Sequence, residues 1–180
     1  RGTLWWVPAP FRVHELMWFY TNFIKKTLNY YISYQFRNNI TNLLMEKFIP
    51  NENEIFEKFY LTKSQILEMH NSGMVIGSHT VNHPVMSKLN VQDQESEIKD
   101  SFQYLKGVIK SFDHKTFCYP YGGFHSFTNQ TERILDKENC LYSFNVENRD
   151  IDINDVKSRP QALPRYDCNQ FPFGQVSQLE

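Results

Sequence analysis

Long apolar runs are missing from this chain of 180 residues. The longest near its start, Leu16 to Ile24, is nine residues held between Glu15 and Lys25, far short of what spans a bilayer, so no transmembrane segment is expected. An excess of one charge is missing too. Lys and Arg number 19 and Asp and Glu 20, a net charge of -1, and no basic run stands out. That removes the electrostatic footprint of nucleic acid as a partner. Cysteine is scarce: Cys118, Cys140 and Cys168 are odd in number and form no Cys-x-x-Cys pair, which argues against both a disulfide scaffold and a cysteine zinc site. Free thiols and the lack of a signal-peptide pattern lean towards a cytoplasmic setting. The chain opens on Arg1 and not on Met, so an upstream part is expected to be absent.

Aromatic residues are plentiful, with fifteen Phe and ten Tyr. They suit either an aromatic core or a surface that stacks on sugar rings. The length fits one domain, with a helical N-terminal segment over 1–60 and an α/β core over 61–180. Apolar positions recur at helical spacing from about Val13 to Tyr34, and a weaker helical stretch reaches Phe48. A helix packed on a core is the expected use of that segment; a basic amphipathic helix docking on a membrane or a partner is the alternative. Residues Ile49 to Glu54 read as a loop. Thr62 and Gln65 then have capping-box spacing, and Gly73 closes the short helix that follows.

"MVIGS" (Met74 to Ser78), "TFCYP" (Thr116 to Pro120) and "LYSFNV" (Leu141 to Val146) read as buried strands. Between the first two, Asn90 caps a helix with the apolar stripe Ile98, Phe102, Leu105, Ile109 and Phe112. Helices alternating with strands predict repeating α/β units around a parallel sheet. In such sheets, chemistry gathers on loops at the carboxyl ends of strands. Two loops qualify. "SHTVNHP" follows the first strand and carries His79 and His83, which are either a metal-binding pair or two ordinary loop histidines. "YPYGG" follows the second, and its turn either points the Tyr121 N–H at an oxyanion or is a plain Pro/Gly turn.

Together, "HTVNHP" and "YPYGG" resemble the second and third motifs of the polysaccharide deacetylase family, the NodB-homology carbohydrate esterases. The first matches His-Ser/Thr-x-x-His-Pro at every fixed position. The second keeps Pro120, Tyr121 and Gly122 of Arg-x-Pro-Tyr-Gly, with Cys118 where the family has arginine. The resemblance covers roughly Leu61 to Arg165. It implies a distorted or incomplete (β/α) barrel that hydrolyses an acetamide on a glycan or polysaccharide. It also implies a divalent metal, zinc by default, held by His79 and His83, with Tyr121 stabilising the oxyanion through its main-chain N–H and with Pro120 and Gly122 of the same turn expected to bind substrate.

Two departures accompany it. The family's Thr-Phe-Asp-Asp-Gly motif, source of a third ligand and the general base, has no counterpart: no Asp-Asp pair exists and the first aspartate is Asp93. A fragment that has lost its first strand, or a homologue that has lost catalysis, would both explain this. The family's late Leu-x-His motif is answered by Leu163-Pro164-Arg165, and an arginine cannot shuttle protons. Arg165 is then expected to hold a carboxylate or a sugar-linked phosphate, and His125 to replace the missing acid. The leading expectation is a metal-dependent glycan N-deacetylase, with activity impaired if the chain is a fragment. A non-catalytic carbohydrate-binding domain on the same fold is the alternative.

Overall fold

The structure is a computed structural model that describes residues 9–49 and 51–171. It divides into two compact units, Arg1–Pro50 and Asn51–Glu180. In the first, α1 (Ala9–Lys26) runs into a π-helical turn at Thr27–Tyr31 and is followed by α2 (Tyr34–Phe48). The expected helical pattern is therefore present, and among the described residues neither the π-helical turn nor α2 has a buried side chain. Leu16, Trp18, Phe19 and Phe23 are all exposed, and Phe19 meets Phe23 only as a stacked neighbour one turn along. Among the described residues, no helix is long and apolar enough to cross a membrane.

The second unit begins with α3 (Glu52–Phe59), which overturns part of the expected loop at Ile49 to Glu54. An acidic residue at the start of this segment, Glu52, suits a helix N-terminus, where the backbone N–H groups are unpaired. In α4 (Lys63–Asn71) the expected capping box is complete, with Gln65 N–H on Thr62 Oγ1 and Thr62 N–H on Gln65 Oε1. Gly73 ends that helix at φ +88°, the left-handed conformation glycine adopts most freely. Asn90 caps α5 (Val91–Val108) through the Asp93 N–H as expected.

β1 (Thr116–Cys118) and β2 (Tyr142–Phe144) pair in parallel, Phe117 opposite Ser143. Single parallel bridges extend this sheet on both sides, Ser78 to Phe117 and Phe144 to Leu163. The order is therefore residue 78, β1, β2, residue 163, with all four segments running the same way. α6 (Asn129–Lys137) precedes β2, and α7 (Ile153–Ser158) precedes the Leu163 bridge. This is a parallel α/β arrangement, helix-rich and with few strands. A closed barrel is not present among the described residues.

Strand alternation separates the two faces of β1. Phe117 and Tyr119 enter the core with Ile98 and Phe102 of α5 and with Ile134 and Leu135 of α6. Cys118 takes the other face, where an open groove lies. The expected strand at Met74 to Ser78 is corrected: only Ser78 pairs, and Met74 and Val75 are 54% and 76% exposed. Gly77 permits the close approach that remains, since a Cβ there would sit 2.5 Å from Thr116 Oγ1. A strand needs ladders or packing to stay regular, and the outer side of this segment has neither among the described residues.

Candidate functional site

Backbone pairing brings the two motif loops to one rim. Ser78 N–H donates to Thr116 O at 2.8 Å and Cys118 N–H donates to Ser78 O at 2.9 Å. His79 therefore leaves the sheet beside Cys118, and its Nδ1–H donates to Cys118 O at 2.7 Å. A carbonyl can only accept, so the hydrogen sits on Nδ1 and the lone pair of the neutral ring on Nε2, the tautomer a metal-ligating imidazole needs. Cys118 thus contributes to this rim through its backbone carbonyl.

The histidine loop turns sharply. Thr80 has φ 70° and His83 φ 51°, conformations that cost side-chain-bearing residues about 1–3 kcal/mol each. Thr80 Oγ1 accepts the His83 N–H at 3.0 Å, closing the turn. Pro84 and Val85 follow, fully buried, and anchor its exit. The result sets the His79 and His83 rings edge to face with centroids 4.8 Å apart. His83 in turn lies edge to face with Tyr121, 4.9 Å away.

Tyr121 and Gly122 make the second turn, at φ 63° and 70°. Gly122 is required for space as well as conformation, because a Cβ there would overlap Val146 Cγ1. Pro120 is buried, and Tyr119 before it stacks on Phe127 at 3.7 Å and donates its hydroxyl to Gln161 O at 2.6 Å. Burial raises the Tyr119 phenol far above its usual range, so it is a structural hydroxyl. Ser87 stitches the two loops together: its N–H donates to Ser126 O at 2.9 Å and its Oγ–H to His125 O at 2.7 Å. Three of the four left-handed non-glycine residues, Thr80, His83 and Tyr121, fall in these loops, and the fourth, Asn139, follows α6.

The other sequence candidates lie around this pair. Arg165 lines a groove of about 620 Å³ with His79, Cys118 and Phe144. Its Nε is 3.5 Å from Asp167 Oδ1, an ion pair by distance, yet is buried without a hydrogen bond. The His125 ring folds under its own turn, where a Cβ on Gly123 would stand 2.6 Å from His125 Cε1. A second groove of about 540 Å³ reaches His79 from the side of Asp100 and Tyr104. Among the described residues, no three His, Cys, Asp or Glu side chains are grouped to hold a metal ion. His79 and His83 are the two imidazoles that the loop brings ring to ring.

A family model described as polysaccharide deacetylase matches residues 15–139. The chain belongs to the polysaccharide deacetylase family. Among solved structures it is similar to a Streptococcus pyogenes deacetylase, PplD, in complex with acetate. The identity is 26% and the TM-score 0.55, over 63% of this chain and 47% of that one. The chain thus spans about half the length of that solved relative. No curated protein matches.

Sequence reasoning passed over Glu97. Its Oε2 accepts the N–H groups of both Val81 and Asn82, at 2.8 and 2.9 Å, and its Oε1 accepts Asn82 Nδ2–H at 2.7 Å. Ser101, one turn further along α5, bonds Ser78 Oγ at 2.6 Å, and Gln94 bonds Thr131 at 2.7 Å. A signal existed: Gln94, Glu97 and Ser101 form a polar row at helical spacing beside the apolar stripe.

Proposed function

We propose that this chain carries the histidine-bearing part of a metal-dependent deacetylase that removes an N-acetyl group from a glycan. The single observation behind the reading is the convergence of His79, His83 and Tyr121 on one rim, with the His79 tautomer fixed by Cys118 O. His79 and His83 would hold a divalent cation, zinc by default, through imidazole nitrogens. Such a cation supplies Lewis acidity and makes a water more acidic.

The other roles belong to this chain's own atoms. The Tyr121 N–H receives the negative charge that develops on the acetyl oxygen, from a turn already set in its left-handed form. Gly122 and Pro120 keep that turn in place. As the C–N bond breaks, the water's hydroxyl stays with the acetyl carbon to give acetate, and a proton must reach the leaving nitrogen. His125 is the proposed donor. Arg165, in the groove beside His79, is proposed to bind a carboxylate or phosphate of the substrate. The third ligand and general base are proposed to lie outside the described residues.

The test uses the longest natural protein that contains this chain, assayed for bound zinc and for acetate released from N-acetylated glycans. His79→Ala and His83→Ala should each lower zinc content and abolish acetate release. Glycan binding that survives chelators, with no zinc retained by the unaltered protein, would replace the enzyme reading with the carbohydrate-binding one.

A further inference from the structure

We propose that Glu97 is a positioning residue, whose carboxylate locks the 79–83 loop in the shape that turns His83 towards His79 and Tyr121. The loop is uphill by itself, because Thr80 and His83 both hold left-handed backbone within four residues. Something outside it must hold it there. His79 has its own support from the sheet, through Cys118 O. In the stretch between the histidines, Thr80 Oγ1 closes the turn on the His83 N–H, and Glu97 ties the turn to α5. All three of its bonds go to Val81 and Asn82, the residues flanked by the two strained positions. A carboxylate is suited to this, since its two oxygens can accept several N–H groups at once, with charge assistance.

The anchor point is rigid. Ile98, next to Glu97, is completely buried, and Ser101 on the same helix bonds Ser78 at the root of the loop. Glu97 thereby ties the loop's tip to the helix that already holds its base. As part of the deacetylase reading, this shape presents two imidazoles to one cation, and loss of such a support weakens metal binding about 10–100-fold.

A merely stabilising contact would alter how much protein is folded, but not where His83 points in the folded molecules. Ring-to-ring nuclear Overhauser contacts in the metal-free chain make that distinction. The unaltered chain should show contacts from the His83 ring to those of His79 and Tyr121. Glu97→Ala should lose both while the Phe117–Tyr119 core contact, with ring centroids 5.3 Å apart, persists. Glu97→Gln should keep them, because one amide oxygen still accepts both backbone N–H groups and Asn82 can turn its side-chain amide to suit. If Glu97→Ala does not fold, Glu97→Asp decides by the same contacts, its carboxylate withdrawn by one methylene and the contacts expected to weaken.

Zinc titration of the same variants should give affinity about tenfold or more weaker for Glu97→Ala than for Glu97→Gln. Retention of the His83 contacts in folded Glu97→Ala, or in Glu97→Asp where only that folds, overturns the proposal. If the unaltered chain binds no zinc yet Glu97→Ala loses the contacts, the positioning role stands and the metal reading falls.

Discussion

Replacing Gly122 by alanine sets two requirements of the tight turn against each other. The residue sits at φ 70°, where a side chain costs about 1–2 kcal/mol. Its new Cβ would also overlap Val146 Cγ1 and approach Val146 Cβ and N to 3.2 Å. Relieving that overlap forces a shift of the kind that costs about 1–3 kcal/mol. Gly122→Ala should therefore destabilise by about 2–5 kcal/mol, the sum of these two effects. Val146→Ala, at a half-buried site, should cost about 1 kcal/mol through lost methyl burial. Combining the two removes Cγ1 and returns much of the steric cost, leaving the left-handed penalty in place. The double variant should be more stable than additivity allows, by about 1 kcal/mol or more.

All three tryptophans, Trp5, Trp6 and Trp18, precede residue 50, so their fluorescence follows the wrong unit. Amide hydrogen exchange at Cys118 and Asn145, whose N–H groups pair with Ser78 O and Leu163 O, follows the right one. Strict additivity of the two substitutions, or a Gly122→Ala cost below about 1 kcal/mol, would refute the packing argument.

Two further outcomes are expected. Gln161→Leu removes the partner of Ser143 Oγ–H, at 2.6 Å, and the donor to Cys140 O, at 2.7 Å. Two buried orphans should cost about 2–5 kcal/mol, measured by the same exchange experiment, and a cost under about 1 kcal/mol would mean water reaches this network. Among the thiols, exposed Cys168 should alkylate readily in the folded chain, whereas Cys140, buried and pushed up to about 11, should not. The raised value means the thiol stays protonated as pH rises from neutrality, with about one thiolate in a thousand at pH 8, so mass-mapped labelling of Cys140 should appear only on unfolding.

Much of this site was legible in the residues. "HTVNHP" and "YPYGG" pointed to two loops at strand ends, and the loops stand together, stitched by Ser87. The capping pairs Thr62–Gln65 and Asn90–Asp93 also form as read, because a cap is a contact between residues three apart and needs no distant partner. The segment "MVIGS" shows the limit. Its composition reads as a buried strand, yet only Ser78 pairs, since being a strand depends on what lies alongside. Glu97 was passed over for a related reason. On a helix it resembles any wet-side acid, and its value lies in two backbone N–H groups fifteen and sixteen positions away.

Local chemistry in the chain thus settled the helix starts at Thr62 and Asn90, the left-handed turn at Gly73 and the residue types at the two loops. Folding in three dimensions decided which strand edge stays open, which imidazole nitrogen keeps its lone pair, and which acid holds the histidine loop. The division follows from range. Backbone preference and capping act over three or four residues, whereas a hydrogen bond from His79 to Cys118 O joins positions 39 apart, and only the completed sheet brings them within 2.7 Å.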